Sequence, residues 1–386
     1  MAHTIIVQHE IEQPALYGAA AALIAAREGM RVYWPDARFD FHRHPDAAQH
    51  VAGEQMLAPS GLIWVDRLTG QPALPLEMLE DGADAIIPLH PAFIADPDMI
   101  KRLVNSGDVH RTVVLDGNRF RDDNNNTIGW YDEFGRVRLE KPTEHTVSTP
   151  LVFAIAGPAH QFFETCPAPL AALADAIDAQ APGSMVRFID PRQIASAPLQ
   201  GIDGLLLPGG SQMSAVKGQI ELALMARAEA RPTLGLCLGM QSMSTAVARE
   251  LPEWENTDME EVAPDADRHS FVRIETGEYR LGWRVTRPVA ESRLARILGD
   301  ELQIACNHRF RLTPSLHEGL ASRGIRVSAL GGTFEQGIAD AIEAEEGFYM
   351  GMQGHPELSS RIGRPHPLIS AFVAETKYNA INRKAL

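Results

Sequence analysis

The residues best placed to do chemistry lie in Gly235-Leu236-Cys237-Leu238-Gly239. This stretch follows an apolar, strand-like run, Thr233 to Leu236, and precedes Met240 to Arg249, which reads as a helix. A nucleophile between two glycines at a strand-to-helix turn is the elbow arrangement, here with Cys in place of Ser. The turn strains the backbone at the nucleophile, and small neighbours let the chain bend without collision. The thiol then projects at a helix N-terminus, where the macrodipole favours an anion. The amide of Leu238 faces the same point and can serve an oxyanion hole. A cysteine nucleophile needs a base, and the base needs an orienting acid. His355-Pro356-Glu357, far downstream after the strand-like Phe348 to Met352, offers both. In extended backbone, residues two apart point to one side, so Glu357 can hold the imidazole of His355. Read singly, Cys237 fits a buried structural thiol and His355-Pro356-Glu357 fits a surface turn. Together they fit acyl transfer.

Other polar constellations carry less. His42, His44, Asp46 and His50 match no zinc spacing and include no Cys, so they read as a solvated loop with no metal. Asp122 and Asp123 with the following Asn run are too few and too close for a calcium loop and read as a turn. There is no G-x-x-x-x-G-K-[ST] phosphate loop.

These residues need a scaffold, and the length supplies one. A chain of 386 residues suggests about two to three domains. Lys plus Arg is 35 against 50 Asp plus Glu, a formal charge of −15. That balance argues against a nucleic-acid partner, whose affinity rests on basic side chains, and against an anionic membrane. Three cysteines, Cys166, Cys237 and Cys306, are too few for a disulfide framework and fit a reducing compartment. Met1 to Val7 lacks a signal-peptide pattern, and the apolar run Leu16 to Ala26 is too short to span a bilayer. The expectation is a cytoplasmic protein.

Strand-like and helical segments alternate along the chain. Thr4–Val7, Arg31–Trp34, Ala85–Pro88 and Thr112–Leu115 read as strands, and Ala15–Arg27, closed by Gly29, reads as a helix. Residues 35–80 read as irregular, 97–105 as a helix, and Gly129–Glu140 as a hairpin turning near Glu133–Gly135. Residues 1–145 thus form an N-terminal α/β domain without an assigned role. Lys141–Pro150 reads as the linker, and 151–386 as a second α/β domain. There Leu151–Ile155, Met185–Ile189, Gly204–Leu207 and Thr233–Leu236 are strands, with helices over Leu170–Ala179 and Gln219–Ala230. Such alternation implies a doubly wound, mostly parallel sheet, with ligands beyond the carboxyl ends of the strands. Gly82–Pro88 echoes Gly201–Pro208, and Thr112–Gly117 echoes Thr233–Leu238. One reading is a degenerate repeat; the other is that α/β segments look alike.

Residues 151–386 resemble class I, triad-type glutamine amidotransferases, and within them the glutaminase domain of CTP synthases. The likeness runs through Leu205–Gly210, Gly235–Gln241, Asn307–Arg311 and Gly351–Glu357, and extends to Gly363–Leu368. It implies a class I amidotransferase fold, with Cys237 as nucleophile, His355 as base and acid, and Glu357 as orienter. Gly210 and Leu238 would supply oxyanion amides, and Gln241 would line the glutamine pocket. Glu261 would meet the substrate ammonium and Arg311 its carboxylate, Arg309 being the nearest competitor. On residues alone, Glu261 fits a solvated acidic loop, and the two arginines fit a solvent face. The implied partners are L-glutamine or a γ-glutamyl amide, and a synthetase subunit; an oligomer is compatible, and no cofactor is implied. Two departures stand out. Gly354 replaces a bulky residue before His355, and Ser211–Gly218 lacks the Gly/Arg-rich lid of the CTP synthases. Residues 1–150 do not resemble the synthetase half.

Overall fold

The computed structural model describes residues 3–96, 98, 109–143, 145–275, 277–332 and 337–385. The chain packs into two compact units. The first is Met1–Ala52, Met56–Glu144 and Ala159–Ala171; the second is Gly53–Gln55, His145–Pro158 and Ala172–Leu386. The segment 159–171 therefore packs with the first unit, although it follows the polar stretch read as the linker.

In the first unit, strand β1 (Thr4–His9) lies between β2 (Ala85–Leu89) and β3 (Val109–Asp116), parallel to both. The Ala-rich helix α1 (Ala19–Glu28) is buried over its first seven residues. It ends at Gly29, whose left-handed backbone returns an N–H to the Ala25 carbonyl. Strands β4 (Arg119–Arg121), β5 (Thr127–Tyr131) and β6 (Val137–Arg138) extend the sheet antiparallel from β3. The turn between β4 and β5 is held by Asp122, whose carboxylate accepts the backbone N–H groups of Asn124 and Asn126. Residues 35–80 are more regular than their composition suggests. They hold the helix Ile63–Thr69 and the strands His50–Gly53 and Met56–Ala58. Ile63, Trp64 and Val65 are poor helix formers, but all three are buried, and the Trp64 indole donates to the Ala15 carbonyl at 2.7 Å. Packing overrides propensity there. The helix expected over 97–105 lies outside the described residues.

The second unit carries a nine-stranded sheet. Its parallel part comprises β7 (Val152–Ala156), β8 (Met185–Ile189), β9 (Gly204–Leu207), β10 (Thr233–Leu236) and, in the middle of the sheet, β15 (Tyr349–Met352). Between β10 and β15 the chain builds β11 (Arg280–Pro288), β12 (Leu302–His308), β13 (Ile325–Gly331) and β14 (Ile338–Ala344). The spatial order is β8-β7-β9-β10-β15-β14-β13-β11-β12, antiparallel from β15 onward. Helices cover both faces of the parallel part. On one, α2 (Val216–Ala228) and α3 (Leu238–Ala248) bury Ile220, Leu222, Met240 and Met243 against Ala154, Leu205 and Leu207. On the other, Phe372 of α4 (Pro367–Ala385) contacts the rings of Phe153 and Phe348, with centroids 5.8 and 5.9 Å away.

The two sequence echoes do not share a sheet position. Thr233–Leu236 pairs with Gly204–Leu207, whereas Val109–Asp116 pairs with β1 and not with Ala85–Leu89.

Candidate active site

Cys237 closes strand β10 and caps helix α3. Its φ of +48° and ψ of −108° lie in a region that L-residues rarely occupy. The position is held from both sides. The Cys237 N–H donates to the Met352 carbonyl at 2.8 Å, and its own carbonyl accepts the Gln241 N–H at 3.1 Å. The flanking glycines are required by close approach. A Cβ on Gly235 would stand 2.7 Å from the Gly239 carbonyl carbon, and one on Gly239 would land on the Leu207 carbonyl oxygen. Leu238 opens the helix, so its amide is among the first-turn groups that have no partner within the helix.

His355 follows β15, and its N–H donates to the Ala305 carbonyl at 2.8 Å. Its Nδ1 lies 2.8 Å from Glu357 Oε1. The carboxylate can only accept, so Nδ1 carries the proton and Nε2 is the nitrogen available for chemistry. The ring and the nucleophile close on the same glycine: a Cβ on Gly209 would touch His355 Cε1 at 3.1 Å and Cys237 Cβ at 3.2 Å. Burial works against the imidazolium, but Glu357 and Cys237 outweigh it, so the His355 pKa stands well above the ordinary histidine value. Gly210 follows directly, with a φ of +150°. Gln241 is buried and donates from Nε2 to Gln353 Oε1 at 3.4 Å. Gln353, which the sequence did not single out, points its Nε2 at Cys237 Sγ, 3.6 Å away.

Glu261 sits in the turn after the strand Asp258–Met259. Loss of water lifts its pKa, against the pull of Arg273 and Arg309. Arg309 lies over the Tyr279 ring, 3.7 Å from its centroid, and the Tyr279 hydroxyl donates to Asn307 Oδ1 at 2.5 Å. Burial raises the Tyr279 pKa, Arg309 lowers it, and the charge of Cys237 adds to the rise. Glu261, Arg309 and Tyr279 are therefore linked electrostatically, and Tyr279 also feels the charge of Cys237. Arg311 is not part of this group. It is buried, and its guanidinium makes a long hydrogen bond, 3.4 Å, to the Gly337 carbonyl. The reason is a bend at Arg309, between β12 and the strand Phe310–Leu312. Arg309 at the bend is exposed, whereas Arg311 in the strand is buried. Tyr279 gave no signal in the sequence, and Asn307 only that it opens the Asn307–Arg311 stretch.

Of the 42–50 cluster, His42 is exposed, but the rest is not a solvated loop. His44, Asp46 and His50 are buried. His44 Nδ1 meets the Thr165 hydroxyl at 3.0 Å, and His50 Nε2 meets Asp66 at 3.3 Å. The short helix Ile63–Thr69 and the segment 159–171 cover them, and neither was legible as a cover. Among the described residues, no group of three or more His, Cys, Asp or Glu side chains could hold a metal. No described helix is long and apolar enough to cross a membrane.

A parallel sheet with a strained cysteine at a strand-to-helix turn, beside a His–Glu pair, is an arrangement suited to nucleophilic chemistry at the thiol. Residues 177–374 match the family model "Glutamine amidotransferase class-I", and the chain belongs to that family. It is 35% identical over 207 residues to a CTP synthase of Saccharopolyspora erythraea, covering 49% of this chain and 36% of the relative. It is 32% identical over 194 residues to a CTP synthase of Methylobacterium radiotolerans, covering 45% and 35%. The match thus spans only about a third of the length of these relatives. Among solved structures, the Trypanosoma brucei CTPS glutaminase domain with bound acivicin aligns with a TM-score of 0.55 at 22% identity, over 59% of this chain and 94% of that one. That likeness concerns the fold.

Proposed function

We propose that the second unit hydrolyses the side-chain amide of L-glutamine through a γ-glutamyl thioester on Cys237. The observation that carries the reading is the strained Cys237 closing on Gly209 together with a His355 ring held by Glu357 at 2.8 Å. The Cys237 thiolate attacks the γ-carbonyl, forming a C–S bond. The oxyanion is met by the amides of Gly210 and Leu238. His355 donates a proton to the departing nitrogen as the C–N bond breaks, releasing ammonia. It then takes a proton from water, whose oxygen displaces sulfur to give glutamate and the free thiol. Glu261 holds the substrate ammonium. Its carboxylate is taken by Arg309, in place of Arg311, because Arg309 shares the electrostatic neighbourhood of Glu261 and a guanidinium fork suits a carboxylate. Gln241 and Gln353 line the side-chain end of the pocket. Ammonia passes to a synthetase partner or another acceptor in the cytoplasm.

A second reading is a γ-glutamyl-amide hydrolase, in which a substituted amine leaves. The lack of a phosphate-loop motif in residues 1–150 favours keeping it. Steady-state kinetics with glutamine and with γ-glutamyl-alkylamides decide between the two: a strong preference for the alkylamide selects the hydrolase. Cys237→Ala tests both. It should abolish glutamate release and labelling by a glutamine-mimicking electrophile in a folded protein, and undiminished turnover would sink the proposal. Wild-type protein that neither turns over glutamine nor labels would mark the unit as a sensor or scaffold.

A further inference from the structure

Behind the His355 loop lies a fully buried ionic network that the reaction does not use. Arg280 of β11 and Asp340 of β14 pair through both guanidinium nitrogens, with NH2 3.2 Å from Oδ2. The two side chains are 2% and 1% exposed. They sit on strands separated by β13 and meet only because Gly331 of β13 has no side chain. A Cβ there would strike both the Asp340 carboxylate and the Arg280 guanidinium. The Thr286 hydroxyl donates to the same carboxylate at 2.5 Å. Arg280 NH1 also reaches Nε2 of His308, at 3.4 Å, in the facing residue of β12. His308 donates from Nδ1 to the Phe310 carbonyl at 2.9 Å, which leaves Nε2 as an acceptor. Burial and the charge of Arg280 push the His308 pKa down to about 4, so the ring is neutral at pH 7.

The catalytic loop hangs from two of the strands that this network joins. The Gln353 N–H donates to the Asp340 carbonyl at 2.7 Å, and the His355 N–H donates to the Ala305 carbonyl of β12 at 2.8 Å. Gln353 then reaches the Cys237 sulfur. Strands β14 and β12 are not neighbours in the sheet, so their spacing sets where the loop, and with it the His355 ring, stands relative to Cys237. We propose that Arg280 is a positioning residue: clamped on Asp340 and His308, its guanidinium fixes the separation of the two strands that suspend the Gln353–His355 loop over Cys237. The inference rests on the nucleophile and base roles given above. A buried ion pair is weak evidence of stabilisation, since burial costs both charges their water. A planar fork that bonds two strands at once supplies geometry that an apolar residue of similar size cannot.

The test compares Arg280→Met and Arg280→Lys with wild type by glutamine turnover, alkylation of Cys237 by iodoacetamide at one pH, far-UV circular dichroism and thermal melting. A base displaced by about 1 Å can cost about 100-fold in rate. Arg280→Met should therefore keep the wild-type spectrum and a KM within about twofold, while kcat falls about 100-fold and alkylation about tenfold. Arg280→Lys keeps the charge but not the fork, and should recover about tenfold of the lost kcat. Folded Arg280→Met with wild-type kcat, or with a raised KM and unchanged kcat, overturns the proposal. So does Arg280→Lys no better than Arg280→Met. If Arg280→Met fails to fold, Thr286→Val, which loosens Asp340, decides: kcat should fall about threefold to tenfold at unchanged KM, and wild-type kcat overturns the idea. Wild-type protein inactive on glutamine would sink the functional reading, while the alkylation comparison would still report on positioning.

Discussion

Replacing Cys237 by Gly should leave the protein more stable than replacing it by Ala, and both variants should be inactive. The residue adopts φ +48° and ψ −108°, where a Cβ is strained at a cost of about 1–3 kcal/mol. Glycine occupies that region freely but loses about 0.5–1 kcal/mol more backbone entropy on folding than alanine does. Both variants lack the sulfur, so the loss of its contact with Gln353 cancels between them. The difference left is roughly 1 kcal/mol in favour of Gly, with the strain above and the entropy below. In a unit of this size that is a rise of about 2–4 °C in melting temperature. Urea unfolding at pH 7, fitted for midpoint and slope, measures it; equal slopes guard against a changed unfolded state. An Ala variant as stable as the Gly variant, or more so, refutes the argument: the elbow would then store no strain, and the geometry of Cys237 would come free from its surroundings.

Other outcomes follow from the same geometry. Glu357→Gln should lower kcat by about 10²–10⁴, because the carboxylate sets the tautomer and supports the imidazolium; a fall under threefold in single-turnover assays would remove Glu357 from the triad. The His355 pKa is raised above its ordinary 6.5, so its contribution to stability is complete below that value and is lost as pH rises through the raised one. Wild type should therefore weaken on the alkaline side in pH-dependent melts, and Glu357→Gln should show less of that loss. Burial lowers the His366 pKa to about 4, the opposite sign: stability is whole above 6.5 and drains as pH falls toward 4, by up to about 3 kcal/mol. His366→Asn, which keeps an acceptor for the Leu368 N–H, should blunt acid unfolding, and an unchanged acid limb would contradict this. Arg309→Leu should raise KM for glutamine about 10–100-fold, the worth of a charged hydrogen-bonded pair, and Arg311→Leu much less; the reverse order would restore Arg311. Gly239→Ala should fail to fold, since its methyl meets the Leu207 carbonyl, and a soluble, cooperative Gly239→Ala would show that the strand can yield.

What was legible in the sequence divides along a physical line. Strands buried on both faces are continuous apolar runs, so Gly204–Leu207 and Thr233–Leu236 could be read residue for residue. The elbow was legible because its glycines answer to local sterics. Cys237 and His355 end neighbouring parallel strands, and a motif at a strand end keeps its meaning without knowledge of the rest of the chain. The helix Ile63–Thr69 was not legible, because its stability comes from burial of Trp64 rather than from propensity. The proposed preference for Arg309 over Arg311 turns on one bend, at Arg309, and no periodicity announces a bend. Gln353 was invisible for another reason: a buried Gln declares itself only through its partners, here Cys237 and Gln241.

The same division says where variation should be tolerated. The β10–β15 pairing sets Gly235 opposite Gly351 and Leu236 opposite Met352, and the Cys237 N–H ties to Met352 as well. A slip of one residue there would turn every side chain of the pair to the wrong face and carry His355 away from the thiol. Cys237 and the strand that leads to His355 are thus fixed by a register that the whole core enforces. The substrate-end residues have no such enforcement. Glu261 stands in a turn, and Arg309 at a bend resting on one tyrosine ring. Changes in the length of the turn around Glu261 should therefore alter which amide is accepted before they alter whether an amide is cleaved. Lengthening that turn by two residues should raise KM for glutamine while leaving alkylation of Cys237 at its wild-type rate. A parallel loss of alkylation would mean that the two ends of the pocket are mechanically one.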